Sequence, residues 1–545
     1  MASATFSVGL KNGRPTCSWL GSLLLLLAFT GCTGGGSGTE PGVLRVGIGG
    51  EPRDLDPHTV TGSPGVQVML SLMEGLVTYH PTDDEIPYPG VAERWESSED
   101  GRVWRFHLRE GLRWSNGDSL TAEDFVYAWR RVLHPDLGNE YADWMYMIEN
   151  AEAYHKGLES DISRVGIAAE SPRILRVTLV DPVADFLKML LNHTFLPVHP
   201  ETIEAHGGAG VRSSGWTQPG SHVGNGPFQL VQWRPNSLIR VERNPYYWDA
   251  ETVQLKAIEF YPIEDENTEL RAFESGQLHV TNSVPVNMRN RYRERFPEKI
   301  RFDPYAGVYF YRLNTTRPPL DDERVRRALS LAIDRGQIVG KLLKGGERPA
   351  TAMVPSGIGG YRSPKRPVHD PDRARALLAE AGYPAGEGFP EMELLFNTSD
   401  NHRLVAEAIQ NMWRQELGIE VALTNKEWKV YLDTVKSMRY DIARAGWIGN
   451  LYPYSFLRTL LSYSPNNDTG YTDPEYDRLL QESTTVLDPE RRLALVREAE
   501  ARMLEAEPII PIYWYTRVFL IDPRVRNWEP KLVDQRPMKL VRLYD

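Results

Sequence analysis

Cysteine is nearly absent from this chain of 545 residues, which contains only Cys17 and Cys32. Both lie close to the N-terminus, so the rest of the chain has no thiol for a disulfide, a redox centre or a cysteine-ligated metal site. A body of this length without disulfides must be stabilised by large apolar cores. The hydrophobic fraction of 41% is sufficient for such cores.

Long apolar runs are missing too, apart from the segment 19–29 near the N-terminus. Lys11 and Arg14 precede this segment, and small residues follow it. A basic region, a short apolar core and small residues are typical of a secretory signal, and the core is too short to span a bilayer comfortably. We therefore predict a signal peptide over residues 1–31.

Cys32 follows Thr30 and Gly31 directly, an arrangement that is similar to a bacterial lipobox. Cleavage before Cys32 and lipidation of its sulfur would leave the body tethered through a flexible Gly/Ser linker over residues 32–41. The alternative is an ordinary signal peptide with an incidental cysteine, because Phe29 replaces the aliphatic residue usual three places before the cysteine.

An excess of positive charge is absent, because the chain has 62 Lys and Arg residues but 73 Asp and Glu residues, which gives a net charge of −11. Nucleic-acid binding needs clustered Lys and Arg to neutralise phosphates. The composition therefore argues against a nucleic-acid partner.

Motifs of catalysis and of cofactor binding are missing as well. The chain has no Gly-x-Ser-x-Gly elbow, zinc-protease helix, phosphate-binding loop or calcium loop. Gly47–Gly50 and Gly357–Gly360 lack the third glycine of a dinucleotide fingerprint, so we interpret both as backbone turns. The twelve histidines show no metal-ligand spacing on a predicted helix. We predict a protein that is not an enzyme and that uses no cofactor and no metal.

The pattern of the first half predicts short strands such as 103–108, together with one clear helix. Thr121 and Asp124 form a capping-box pattern at the start of this helix. Its apolar residues, which fall on one face, are Phe125, Ala128, Trp129 and Val132.

The second half alternates strands and helices. Helices are predicted after Asp321 and from Asp370 to Gly382, each with an acidic N-terminus. The elements that follow are a strand at 392–396, a helix at about 402–417, a strand at 419–423, a helix at about 427–438 and a strand at 440–445. This order implies a parallel sheet covered by helices, with ligands beyond the carboxyl ends of its strands.

Residues 440–447 (YDIARAGW) are predicted to form a strand that ends in a Gly-Trp turn. Free backbone groups at the strand end, an apolar wall from Trp447 and the guanidinium of Arg444 suit the capture of an extended peptide. The alternative is a buried edge strand in which Arg444 forms a structural salt bridge.

Five longer motifs carry a family resemblance over nearly the entire chain after the linker. They are residues 90–95 (GVAERW), 104–109 (WRFHLR), 121–129 (TAEDFVYAW), 242–248 (ERNPYYW) and 322–329 (DERVRRAL). In their order and sequence they resemble the periplasmic oligopeptide-binding proteins of bacterial ABC importers, which are family 5 extracellular solute-binding proteins.

The resemblance implies an α/β, two-lobed periplasmic-binding-protein fold of type II with three domains, closing by a hinge over an extended peptide. The implied boundaries are 42–74, 200–301 and 517–545 for a discontinuous domain I, 75–199 for an inserted domain II and 302–516 for domain III. The peptide would be held as an added strand, because main-chain pairing accepts many sequences.

The resemblance also implies the residues that contact the ligand. Main-chain pairing is expected from Thr61, Gly62 and Ser63 on one side and from Gly446, Trp447 and Ile448 on the other. The implied pocket residues are Tyr141, Trp428, Trp447, Tyr515, Asn397, His402 and, for a peptide carboxylate, Arg444. A core role stays open for Trp428 and Tyr515, as does an exposed first-turn position for His402.

One departure from the family pattern concerns the amino end of the ligand. Asn450 stands where typical members have the aspartate that meets the peptide ammonium, and Thr61 stands where an acidic residue occurs in well-known members. An amide gives no full charge pairing, a loss of about 1–3 kcal/mol at a buried site. Either another carboxylate substitutes, or the ligand lacks a free amine.

We therefore expect a monomeric lipoprotein of the periplasm or cell envelope that binds oligopeptides and delivers them to a membrane permease driven by a separate ATPase. The alternative keeps the fold but takes an N-blocked peptide, a cell-wall peptide or a non-peptide solute. A more remote alternative is an exported hydrolase.

Overall fold

The computed structural model describes residues 40–84, 86–212, 214–367, 369–486 and 488–544. The predicted signal peptide, the predicted lipidation site Cys32 and most of the linker lie outside these ranges. Residues 41–545 form one compact unit. In the described part of the chain, no helix combines the length and the apolar character that crossing a bilayer requires.

The strands are numbered in chain order. They are β1 Val43–Gly47, β2 Val77–Tyr79, β3 Pro87–Pro89, β4 Ala92–Ser97, β5 Val103–Leu108, β6 Ile167–Ser171, β7 Ile174–Thr178, β8 Phe228–Arg234, β9 Leu238–Arg243, β10 Ala257–Tyr261, β11 Ile300–Leu313, β12 Arg348–Pro349, β13 Met392–Asn397, β14 Val421–Lys426, β15 Ile442–Ile448, β16 Ile509–Leu520, β17 Val525–Arg526 and β18 Arg542–Leu543.

The α-helices follow the same rule. They are α1 Ser63–Leu72, α2 Ala122–Val132, α3 Ala151–His155, α4 Phe186–Met189, α5 Pro200–Ala205, α6 Glu266–Glu274, α7 Val286–Arg295, α8 Glu323–Leu331, α9 Arg335–Gln337, α10 Pro371–Glu380, α11 Asp400–Leu417, α12 Trp428–Lys436, α13 Tyr454–Leu457, α14 Pro474–Thr485 and α15 Pro489–Ala506.

Three larger sheets organise the body. A four-stranded sheet has the order β1-β10-β9-β8, a second has the order β4-β5-β7-β6, and a six-stranded sheet has the order β12-β16-β11-β15-β13-β14. Two small strand pairs, β2-β3 and β17-β18, accompany them. The chain leaves the first sheet after β1 and returns to it at β8, so this sheet is built from distant segments.

The six-stranded sheet is mixed, whereas the sequence pattern indicated a parallel sheet. Strands β13, β14 and β15 are parallel, as predicted. The long strands β11 and β16 run antiparallel to each other, and β11 is also antiparallel to β15. The prediction was incomplete because it rested on the β13-α11-β14-α12-β15 run alone, and β11 and β16 lie outside that run.

The helix predictions are confirmed. Thr121 and Asp124 make the capping box of α2, where the Thr121 N–H donates to Asp124 Oδ2 at 2.7 Å, and the four predicted apolar residues of α2 are fully buried. Asp322 and Asp370 cap α8 and α10. These caps supply acceptors for first-turn N–H groups and place negative charge at the positive end of each helix dipole.

Candidate ligand-binding cleft

A cavity of about 500 Å³ lies where β15, the start of α1, the start of α12 and the end of β16 meet. The structure places all thirteen residues of the predicted site on the wall of this one cavity. They are Thr61, Gly62, Ser63, Tyr141, Asn397, His402, Trp428, Arg444, Gly446, Trp447, Ile448, Asn450 and Tyr515. Residues separated by more than 450 positions in the chain are thus brought together.

Strand β15 does not end before Gly446, so the predicted Gly-Trp turn is wrong. Gly446, Trp447 and Ile448 pair in antiparallel register with Tyr309, Val308 and Gly307 of β11. A glycine beside aromatic residues resembled a turn in sequence, but the long partner strand β11 extends β15 to Ile448. The backbone of these three residues is therefore occupied on the β11 side.

The opposite edge of β15 is open in the part that faces the cavity. Strand β13 pairs with β15 only at Ile442 and Ala443. From Arg444 to Ile448 this edge has no further strand partner within the described residues. An unpaired strand edge presents alternating N–H and C=O groups, which is the surface that an extended peptide needs.

The start of α1 forms the facing wall. Gly62 is the N-cap residue, with φ of 84°, and no side chain caps the first-turn N–H groups. A Cβ at Gly62 would lie 3.2 Å from Cζ2 of Trp428, so the absence of a side chain lets the indole approach the backbone. Uncapped N–H groups and close backbone approach suit a ligand main chain.

Arg444 occupies an aromatic and polar environment without a carboxylate. Its Nη2 donates to the hydroxyl of Tyr515 at 2.7 Å, its Nη1 donates to Oδ1 of Asn397 at 3.2 Å, and its guanidinium carbon lies 4.8 Å from the ring centre of Tyr309. The structural salt bridge considered for Arg444 is absent from the described residues. Cation–π contact and neutral hydrogen bonds hold the guanidinium in place but leave its charge uncompensated.

The other basic residues on the cavity wall all have acidic partners. Arg289 pairs with Glu347 at 2.8 Å, and Arg517 pairs with Asp534 at 2.8 Å. The three remaining pairs are Arg53–Asp433 at 3.6 Å, Arg312–Asp468 at 3.4 Å and Lys436–Glu140 at 3.1 Å. Among the described cavity-lining residues, Arg444 is therefore the cation left to receive an anionic group of a ligand.

His402 lies in the first turn of α11 but is partly buried, so the alternative of an exposed position is wrong. Its ring centre is 5.5 Å from that of Tyr309. Burial, and then the nearby Arg444 cation, lower the pKa of His402 well below its ordinary value. The imidazole is consequently neutral at pH 7 and offers a ligand a hydrogen bond without adding charge.

Trp428 and Tyr515 also line the cavity, and each packs against another aromatic ring. Trp428 stacks on Tyr431 with ring centres 5.7 Å apart, and Tyr515 packs against Tyr309 with ring centres 6.1 Å apart. Each aromatic residue thus combines a core contact with a cavity contact, so the two interpretations of these residues were not exclusive.

The Asn450 end of the cavity carries an amide in place of a carboxylate. The backbone N–H of Asn450 donates to Oγ of Ser455 at 2.9 Å, which fixes the loop after β15. Trp447 adds to this constraint, because its Nε1 donates to the Ser455 carbonyl at 3.0 Å. Asn450 lies on the cavity wall.

Sequence reasoning missed Glu266 on the cavity wall. Its Oε1 accepts from Nδ2 of Asn401 at 2.8 Å and from Oγ of Ser399 at 3.2 Å, while Oε2 has no hydrogen-bond partner among the described residues. Burial raises the pKa of Glu266 to about 7, although Arg289 opposes this shift. In sequence, Glu266 resembles an ordinary acidic residue in a first helical turn, so no signal distinguishes it.

Apart from Tyr515, which was predicted, the tyrosines around Arg444 were missed as well. Tyr309 and Tyr311 alternate along β11, and Tyr513 and Tyr515 alternate along β16. Tyr309 and Tyr513 are register partners with rings stacked 4.7 Å apart. A period of two with aromatic residues on one face was a usable signal for a shared sheet face.

One group of possible metal ligands occurs among the described residues. Donor atoms of Asp118, His199 and Glu201 lie within 4.8 Å of one another. His199 is already engaged, because Nε2 lies 3.2 Å from Asp118 Oδ2 and Nδ1 lies 2.8 Å from Thr202 Oγ1. None of the three residues lines the cleft.

The family model described as bacterial extracellular solute-binding proteins, family 5 Middle, matches residues 87–468. The periplasmic oligopeptide-binding protein OppA of Salmonella typhimurium is 36% identical over 498 residues, which cover 89% of each chain. A structure of Haemophilus influenzae OppA in complex with the peptide RPPGFSPFR has a TM-score of 0.87 at 32% identity, covering 93% of this chain and 99% of that one.

Two structures of the murein tripeptide-binding protein MppA add a further comparison. One MppA structure, of the Escherichia coli protein, has a TM-score of 0.87 at 33% identity, covering 92% of this chain and 98% of that one. An unliganded open form of MppA gives only 0.64 at the same identity, with 93% and 98% covered. This chain therefore has the two-lobed architecture of these proteins, in an arrangement unlike the open form. The chain belongs to the bacterial extracellular solute-binding proteins of family 5.

Proposed function

We propose that this protein is a receptor for short peptides, which it holds in extended form between the open edge of β15 and the start of α1. The observation that carries the proposal is the unpaired guanidinium of Arg444 beside that open edge. A peptide satisfies both features at once, because it has a main chain for the edge and a carboxylate for the cation. The oligopeptide-binding relatives support the same assignment.

The proposed orientation places the carboxylate of the peptide at Arg444 and its amino end toward Asn450. Residues 444 and 448 are separated by four steps along β15, or about 13 Å at about 3.3 Å per residue. A peptide of about five residues covers this distance. Side chains of the peptide would then face Tyr141, Trp428 and Trp447, where water can fill the space that a small side chain leaves.

A second candidate ligand is a peptide with a blocked amino end, and Asn450 is the observation that favours it. The amide offers no charge to an ammonium, whereas it hydrogen-bonds a neutral amide or acyl group equally well. Glu264 and Glu266 also line the cavity, but neither lies in the Asn450 loop. An acylated or cell-wall peptide would use the same main-chain pairing and the same Arg444 contact.

We further propose that the receptor is anchored by lipid on Cys32 and delivers its ligand to an ABC permease. The support for the anchor is the small-residue run before Cys32. The support for delivery is family membership together with the absence of an ATP-binding motif from the sequence, which leaves energy coupling to another subunit. The predicted domains 42–74, 75–199, 200–301, 302–516 and 517–545 would supply the two closing lobes.

The test is a thermal-shift screen of the purified protein against peptides of two to eight residues, free amino acids and sugars. Stabilisation should follow occupancy, and we expect it for peptides of about four to six residues. Mass spectrometry of the same samples should recover each peptide intact. Stabilisation by amino acids or sugars alone would contradict the proposal, and cleaved peptides would support the hydrolase alternative.

A further inference from the structure

A second cavity of about 320 Å³ lies between residues 143–189 and residues 452–496. Its volume falls within the usual range for small-molecule sites, about 300–1,000 Å³. Much of its wall is aromatic or aliphatic, including Trp144, Tyr146, Met147, Val183, Tyr454 and Val496. Trp144 also lines the peptide cleft, so its indole stands between the two spaces.

A buried cation forms part of the wall of this second cavity. The Arg458 side chain is 1% exposed, its guanidinium carbon lies 4.6 Å from the ring centre of Trp144, and Nη2 forms a close ion pair with Asp143. Neither terminal nitrogen of Arg458 makes a hydrogen bond of normal geometry within the described residues. A guanidinium has five N–H donors, so one carboxylate contact leaves most of them unused.

Other donors on the same wall are unpartnered too. Nη1 of Arg492 and Nε1 of Trp144 have no acceptor among the described residues. Arg492 has only a long contact to Asp185, at 3.8 Å. Three of these four buried nitrogen atoms have no partner, and Nη2 of Arg458 has Asp143 alone. The buried acceptors left without a partner on this wall are one carboxylate oxygen of Asp143 and the hydroxyl of Tyr452, while the more exposed acids Glu152, Asp181 and Asp185 line the cavity as well.

The unpartnered N–H donors on this wall indicate the chemistry of a ligand that would fit the cavity. A buried N–H without an acceptor costs about 1–3 kcal/mol, so a cluster of such donors favours a guest that brings oxygen acceptors. Carboxylate oxygens match the guanidinium fork best, and the aromatic wall favours a guest with an apolar body. Val180 and Tyr463 are 47% and 40% exposed and line the same cavity, which extends the apolar surface to its rim.

We propose that this cavity is a second ligand site, separate from the peptide cleft, for a small organic carboxylate with an aromatic or aliphatic body. The carboxylate accepts hydrogen bonds from Arg458, Arg492 and the Trp144 indole, and the body packs against Val183 and Val496. The site needs no peptide backbone in its guest, because none of the described residues that line it belongs to a strand.

The experiment is a 19F NMR titration of the purified protein with 4-fluorophenylacetate. We expect saturable binding, about tenfold weaker for Arg492→Met because one charge-assisted hydrogen bond is lost. Val183→Phe should abolish binding by filling the cavity, whereas Val231→Phe, the same change at an exposed strand position outside both cavities, should leave it unchanged. Arg444→Met should also bind normally, which separates this site from the peptide cleft.

The neutral amide, 4-fluorophenylacetamide, should bind about tenfold more weakly than the acid. The proposal is overturned if the wild-type protein shows no saturable binding, if acid and amide bind equally, or if Arg444→Met removes binding while Arg492→Met and Val183→Phe retain it. Arg492→Met decides the question should Val183→Phe fail to fold, because Arg492 is partly exposed and makes only a long ion pair.

Discussion

The two ends of the peptide cleft differ in charge although both belong to β15 and the loop after it. At one end Arg444 is a cation with only neutral partners, and at the other end Asn450 is an uncharged amide. All other basic residues described on the cavity wall are neutralised. Under the proposed function, this difference means that charge would fix one terminus of the ligand, while main-chain pairing would hold the rest.

The largest effect is expected from removing the cation at the Arg444 end of the cleft. Arg444→Ala should weaken binding of a peptide with a free carboxyl terminus by about 2 kcal/mol or more, at least about thirtyfold, because a buried charge pair is lost. The same peptide with an amidated carboxyl terminus should bind the variant and the wild type about equally. Isothermal titration of both peptides measures this, and equal losses for both would make Arg444 a structural residue.

The cleft also contains an acid whose titration affects stability. The pKa of Glu266 is about 7 in the folded chain, against an ordinary value of 4.5. The folded state therefore binds more protons than the unfolded state between these pH values, so this residue's contribution to stability decreases as the pH rises from about 4.5 to about 7. Glu266→Gln should remove that part of the pH dependence, on the order of 1–3 kcal/mol.

Urea unfolding at pH 5 and pH 8 measures the effect, without ligand. Glu294→Gln is the matched control, because it makes the same change at an exposed helical position and should keep the wild-type slope. An unchanged slope for Glu266→Gln would show that this carboxylate is ionised throughout the range.

A negative charge at the Asn450 end should favour ligands with a free amino terminus. Asn450→Asp should strengthen binding of peptides with a free amino terminus by about tenfold, because a charge-assisted hydrogen bond replaces a neutral one. N-acetylated peptides should gain nothing. No change for either peptide would place the amino terminus away from Asn450.

A smaller effect is expected from the backbone beside Arg444. A Cβ at Gly446 would lie 2.6 Å from the Tyr515 hydroxyl and 3.2 Å from Arg444 Nη2, so Gly446→Ala must displace the hydroxyl that orients the guanidinium. We expect a loss of about fivefold in peptide affinity, near 1 kcal/mol, as for one neutral hydrogen bond. Gly340→Ala, where a Cβ meets nothing within 4 Å, is the control. Equal affinities of the two variants would exclude a role of Tyr515 in orienting Arg444.

Much of the fold was predictable from local signals. The caps at Asp322 and Asp370, the apolar face of α2 and the β13-α11-β14-α12-β15 run all appear in sequence because each depends on near neighbours. The ends of elements were less accurate. The strand predicted at 440–445 is Ile442–Ile448, since pairing with β11, more than 100 residues earlier, determines where it ends.

Some features of the cleft were also predictable from the sequence, and others were not. The thirteen predicted site residues lie on one cavity because the family motifs carried their positions. The carboxylate of Glu266 and the neutral state of His402 were not predictable, since burial and distant neighbours determine both. The ion pairs that neutralise the wall cations other than Arg444 were likewise not predictable, because they join residues that are distant in the sequence. The family motifs identify residues of the cavity wall, but they do not reveal which wall cation is left without an acidic partner.

The most direct measurement uses one tetrapeptide in four forms, with each terminus free or blocked, titrated calorimetrically into the wild-type protein. Blocking the carboxyl end should weaken binding at least about thirtyfold, and blocking the amino end should change it less than about threefold. In the proposed complex, Arg444 binds the peptide carboxylate, while main-chain pairing holds the rest of the peptide. A larger loss of affinity from acetylation than from amidation would contradict this assignment.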